Sequence, residues 1–152
     1  MRPTEDLDVV ALVEDGAYLK ADPLPKELVE AAGEVGIAAG VRENWLNAIA
    51  ADVMNPPGLP HGFAERADVH RFGALTVHVA SRFDLICLKL HAAVDRAPAS
   101  KHLDDLRLLR LTVEELIEAG RWATTHDPSP GFRGQLVALL TMFGVESAKQ
   151  RL

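Results

Sequence analysis

Apolar and polar positions along the chain follow two regimes. Up to about residue 80 the apolar residues come in short runs, whereas beyond it they recur at intervals of three and four. Leu7 to Val13 is a β-branched and aliphatic run closed by Glu14-Asp15-Gly16, which predicts a buried strand ending in a turn. Lys26 to Ala39 follows a Pro-rich start and carries Leu28, Val29, Ala32, Val35 and Ala39 at helical spacing. Residues 41–65 are less regular, with a loop marked by Pro56-Pro57-Gly58 and Leu59-Pro60. Ala67 to Phe72 and Leu75 to Ala80, on either side of Gly73, predict two short strands around a turn.

The remainder reads as helical: Arg82 to Asp95, Lys101 to Arg110, Val113 to Thr125 and Phe132 to Phe143. Ser81 precedes Asp84 by three and Thr112 precedes Glu115 by three, both capping-box spacings, and Asp127-Pro128 is expected to open the last helix. No repeat, low-complexity segment or linker interrupts the chain. The expectation is one α+β domain over residues 1–152: a small mixed β-sheet within 1–80, followed by an α-helical C-terminal half over 81–152.

Composition narrows the function classes. With 48% hydrophobic and 25% charged residues, the 152-residue chain is globular and not disordered. A net charge of −6 gives no global attraction to a polyphosphate, so a nucleic-acid partner has no support from charge. A single cysteine, Cys87, excludes a disulfide framework and a cysteine-based zinc site. No stretch approaches about 18 uninterrupted apolar residues and no signal region is visible, so a cytoplasmic protein without a membrane partner is expected.

Three features carry candidate chemistry. Asp6 and Asp8 flank Leu7, and strand alternation puts both carboxylates on one face, about 6.6 Å apart at about 3.3 Å per residue, with Leu7 facing a core. Two such carboxylates repel unless a cation such as magnesium lies between them; the alternative is a solvated strand start. A bound magnesium would in turn hold a nucleotide's phosphates during phosphoryl or nucleotidyl transfer. Lys89 sits on the apolar side of its helix between Leu85 and Ala93, opposite a narrow polar face shared by Asp84 and His91. Its ammonium must snorkel or meet an anion, with Asp6, Asp8 or a bound phosphate as candidates. Asp105 flanks the Leu103, Leu106 and Leu109 stripe beside Lys101, where a surface ion pair explains both; Asp84 is explained as the partner of a Ser81 cap. The six histidines show no zinc spacing, and no Gly-rich phosphate loop is present. Trp45 and Trp122 read as packing residues.

Arg2 to Val10, R-P-T-E-D-L-D-V-V, resembles the metal-binding strand of the nucleotidyltransferase superfamily, the polymerase-β-like minimal domain, and in particular the bacterial group around the AbiEii-type toxins. Val79 to Leu85 is similar to that group's V-x4-[DE]-hydrophobic element, Lys89-Leu-His-Ala92 to its K-x-x-A element, and His102 to Leu106 to its D-h-x-D-h element. The resemblance implies a nucleotidyltransferase fold with Asp6 and Asp8 as catalytic magnesium ligands and a nucleoside triphosphate as substrate. It further implies Thr4, Lys89 and Lys101 on the nucleotide side, and Asp105 in phosphate positioning or proton transfer. The nucleoside monophosphate would pass to an acceptor hydroxyl on RNA, protein or a small molecule, in a toxin-like setting with a cognate antitoxin. The family's Gly-Ser element lies upstream of the D-x-D, where this chain has only five residues, and L-T-V-H-V-A offers His78 in place of a third carboxylate. These departures leave open a shortened form of a longer protein, an incomplete module that binds a nucleotide or partner protein, a site completed by a partner chain, or a structural domain that acts through self-association as a homodimer.

Overall fold

The computed structural model describes residues 6–95 and 101–152, with the side chains of Asp95 and Lys101 outside the description. It is a mixed α+β protein, and its backbone forms two compact units, Met1–Gly58 and Leu59–Leu152.

In the first unit, β1 (Leu7–Asp8) pairs parallel with a later strand, Leu46–Asn47. The hairpin of β2 (Ala11–Glu14) and β3 (Ala17–Lys20) turns through Asp15 and Gly16, both at positive φ (48° and 81°), as a tight two-residue hairpin loop requires. Helix α1 (Lys26–Ala39) has the predicted bounds and ends at a left-handed Gly40. Trp45 packs on α1: its indole N–H donates to the Ala32 carbonyl at 2.8 Å, and a Cβ at Gly36 would meet the indole at 3.1 Å. The chain then enters β4 (Leu46–Asn47) and a 3-10 turn, Ala51–Met54.

The run predicted as one buried strand, Leu7 to Val13, is thus two strands broken at Val9-Val10. Leu7, expected to face a core, is 52% exposed. The physical reason is local: among the described residues of this unit the fully buried ones are Ala21, Gly36 and Ala51, too small to make an apolar layer under the strand.

The second unit begins with α2 (Phe63–Arg66) and the hairpin of β5 (Asp68–Phe72) and β6 (Leu75–Val79), joined at Gly73. Helices α3 (Arg82–Asp95), α4 (Lys101–Leu108), α5 (Val113–His126), α6 (Pro130–Met142) and α7 (Ala148–Arg151) follow. Ile86, Leu90, Leu106, Leu116, Leu136 and Leu140 form its core, buried at the helical spacing their positions predict. Gly120 permits close approach there, since a Cβ would fall 2.7 Å from the Leu152 side chain and 3.4 Å from that of Leu140. Thr112 and Glu115 form the predicted capping box of α5. For α6 the cap is Ser129, with Pro130 in the first turn, and not Asp127-Pro128. Asp127 instead accepts the Ser129 N–H at 2.8 Å, which folds the chain into the cap.

All strands among the described residues lie between Leu7 and Val79, and they form three two-stranded pairs, one parallel and two antiparallel, where a single small mixed sheet was expected. No helix among them is long and apolar enough to cross a membrane.

Candidate functional site

The D-x-D lies on the parallel pair of the first unit. Leu7 N–H donates to the Trp45 carbonyl at 2.5 Å and Val9 N–H to that of Asn47 at 2.7 Å. Backbone donors at both 7 and 9 tie the chain to the 45–47 segment on either side of Asp8. Asp6 is partly buried and meets the Arg42 guanidinium at 3.4 Å, a partner the sequence did not suggest; Asp8, in register with Asn47, is exposed. Thr4 lies outside the described residues. A shallow pocket of about 310 Å³ in this unit is lined by Asp22, Ala48, Ile49 and Asp52, none of them picked out by the sequence pattern. Asp52 also binds Lys20 at 2.5 Å, which raises the ammonium pKa and lowers that of the carboxyl.

In the second unit, α3 carries two ion pairs. At its N-terminus Asp84 is fully buried, the opposite of the polar face expected for it. Arg66 donates to it through Nη2 at 2.6 Å and Nε at 3.3 Å, and the Ser81 hydroxyl donates at 2.6 Å while accepting the Asp84 N–H at 3.3 Å. Arg66 also donates to the His61 carbonyl at 2.8 Å and lies over the Phe83 ring, 5.2 Å from its centroid. The carboxylate raises the Arg66 pKa above its ordinary value. Gly62 makes room for this: it sits at φ 75°, and a Cβ there would be 2.7 Å from the guanidinium. The Ser81 cap was legible in the sequence. Arg66 was not, because it ends a helix of four residues that has no periodicity to read.

One residue beyond the cap, Arg82 donates to Glu115 at 2.9 Å and to the Leu109 carbonyl at 2.7 Å, fastening the start of α3 to the α4–α5 connection. The guanidinium holds the Glu115 carboxyl below its ordinary value. Cys87, next along the buried face, has its thiol pushed up to about 12 by burial and by the charge of Asp84, so it is no nucleophile at neutral pH.

The second pair joins Lys89 in the middle of α3 to Asp105 on α4 at 2.5 Å. Both side chains are partly exposed, 24% and 33%. The anion that Lys89 demanded is therefore neither Asp6 nor Asp8, and the partner of Asp105 is Lys89; the side chain of Lys101 lies outside the description. Two residues 16 apart in the chain meet because the Leu103 and Leu106 stripe of α4 packs on the Ile86 and Leu90 face of α3, which brings the flanks of the two helices together.

Farther along, His91 joins an aromatic cluster with Trp122, His126 and Phe132, with ring centroids 5.2–5.9 Å from its own. This supports Trp122 as a packing residue. Among the described residues no group of three or more His, Cys, Asp or Glu is arranged to hold a metal ion. Compared with family models, curated proteins and solved structures, the chain matches none.

Proposed function

We propose that the chain is a nucleotidyltransferase-like protein that binds a nucleoside triphosphate and passes its nucleoside monophosphate to an acceptor hydroxyl. The observation that carries this reading is the Lys89–Asp105 pair. Two residues marked by separate sequence elements meet on adjacent helices, and the ammonium keeps part of its surface within reach of solvent. The D-x-D adds hard oxygen donors. Magnesium keeps several waters and binds proteins through one or two carboxylates together with substrate phosphates, and Asp6 and Asp8 fit that donor chemistry. Bound there, magnesium would neutralise charge on the triphosphate. In the second unit, Lys89 offers a point cation for phosphate, and Asp105 offers a carboxylate able to accept a proton. A second reading, a module that binds nucleotide without transferring it, draws on β6, whose five residues include His78 but no carboxylate.

The test is a thermal-shift titration with ATP, GTP, CTP and UTP, each with and without magnesium, on the chain and on Asp6→Asn/Asp8→Asn. A ligand at about 100 times its Kd adds about 2.7 kcal/mol, and each kcal/mol moves the midpoint of a domain this size by about 2–4 °C. The expected result is a magnesium-dependent rise that the double substitution abolishes. No shift with any nucleotide would overturn the reading.

A further inference from the structure

The two ion pairs of α3 differ in how completely their charges are satisfied. Asp84, itself fully buried, accepts from Arg66 twice and from Ser81, while the Arg66 side chain keeps 33% of its surface exposed. Lys89 and Asp105 share one hydrogen bond, although an ammonium has three donors and a carboxylate about four acceptor sites. The unfilled capacity on both sides faces partly into water.

We propose that Asp105 is an exchangeable counter-anion for Lys89: an incoming polyphosphate takes the ammonium, and the Asp105 carboxylate is released in the same event. This rests on the reading of Lys89 as a phosphate contact. Partly exposed pairs of this kind are weak, and an oxyanion with several charges outcompetes a single carboxylate for a point cation. Before the phosphate arrives, Lys89 neutralises Asp105; afterwards the carboxylate has lost that counter-charge. Asp104 supplies an internal control, because it is the neighbouring acid on α4 but pairs with Arg107 at 3.1 Å on the exposed face.

The experiment is a calorimetric titration of the full chain with inorganic tripolyphosphate in EDTA, which leaves magnesium out of the comparison. The variants are Asp105→Asn, Asp104→Asn, Lys89→Met and Lys89→Met/Asp105→Asn, each first checked for a cooperative melt. Removing the competing carboxylate is expected to tighten binding about two- to fivefold, the range set by a partly exposed ion pair. Asp104→Asn is expected to change it by less than about twofold, and Lys89→Met to weaken it about tenfold or more. With Lys89 gone, Asp105→Asn should give no further gain, because the carboxylate acts through the ammonium. Equal gains from Asp105→Asn and Asp104→Asn would overturn the exchange, since both then report only net charge. A gain from Asp105→Asn that survives without Lys89 would overturn it as well. If Lys89→Met weakens binding while Asp105→Asn leaves it unchanged, the phosphate contact stands and the exchange fails. If no variant, nor the unaltered chain, binds tripolyphosphate, the phosphate reading of Lys89 fails and the exchange with it.

Discussion

The N-terminal turn and the middle of α3 carry ion pairs of similar sequence appearance and opposite physical character. At Asp84 the charge is entirely removed from water, and every contact that stabilises it is local to the start of the helix or to Arg66. Five residues on, Lys89 keeps a share of its surface in solvent and has one partner, Asp105, among the described residues. Desolvating a charge is costly, so a buried carboxylate survives only where hydrogen bonds replace the lost hydration. Such a site resists exchange, because any new ligand must restore the whole set. A pair that keeps part of its surface in water has less to restore, and a stronger anion can enter. The difference teaches that burial and bond count, more than the presence of an ion pair, separate a structural pair from an exchangeable one.

The contrast can be broken by mutation. Asp84→Ala leaves Arg66 without its counter-charge and should destabilise the protein by about 3–5 kcal/mol, read as a fall in Tm of roughly 10 °C at about 2–4 °C per kcal/mol; a loss under about 1 kcal/mol would remove the distinction. Leu140→Ala in the helical core should cost about 2–5 kcal/mol, whereas Ile37→Ala, at a side chain 86% exposed on α1, should stay within about 0.5 kcal/mol in urea unfolding. Thr112→Ala removes one half of the α5 capping box and should cost about 1 kcal/mol by the same measurement.

Acid sharpens the comparison further. Glu115 has a folded-state pKa below its ordinary 4.5, chiefly through Arg82, so its contribution is fully present above that value and is lost as pH falls through the lower folded one. Glu115→Gln should therefore lower stability at pH 7 and make the decline on acidification below pH 4.5 shallower; unchanged curves would mean the bridge contributes nothing. The smallest effect concerns Cys87, whose raised pKa and burial should leave it unalkylated by iodoacetamide at pH 7.5 in the native protein and reactive once urea unfolds it.

Much of the helical half was legible in the sequence because its apolar period and its burial agree. Ile86, Leu90, Leu103 and Leu106 fall where 3.6-residue spacing puts them, and the bounds of α1 and α3 match the predicted ones. The strand region was less legible. Leu7 to Val13 has the composition of a buried strand, but burial depends on what packs against it, and the small residues Ala21, Gly36 and Ala51 leave Leu7 and Val13 exposed. At the candidate site, the sequence marked Lys89 and Asp105 separately. Their meeting was hidden because it depends on how α4 docks on α3, a distance in space that no spacing encodes. Arg42 and Arg66 escaped for the same reason: each guanidinium reaches a carboxylate 36 or 18 positions away along the chain.

The most direct test of the central contrast is urea unfolding of the unaltered chain, Asp84→Asn and Asp105→Asn, each with and without a fixed concentration of tripolyphosphate. Without ligand, Asp84→Asn should lose several-fold more stability than Asp105→Asn, whose loss should stay within about 1 kcal/mol. With ligand, Asp105→Asn should gain more stability than the unaltered chain, and Asp84→Asn should gain as much as it does. Equal losses for the two variants, together with a ligand-induced gain in Asp105→Asn no larger than that of the unaltered chain, would contradict the division of α3 into a structural pair and an exchangeable one.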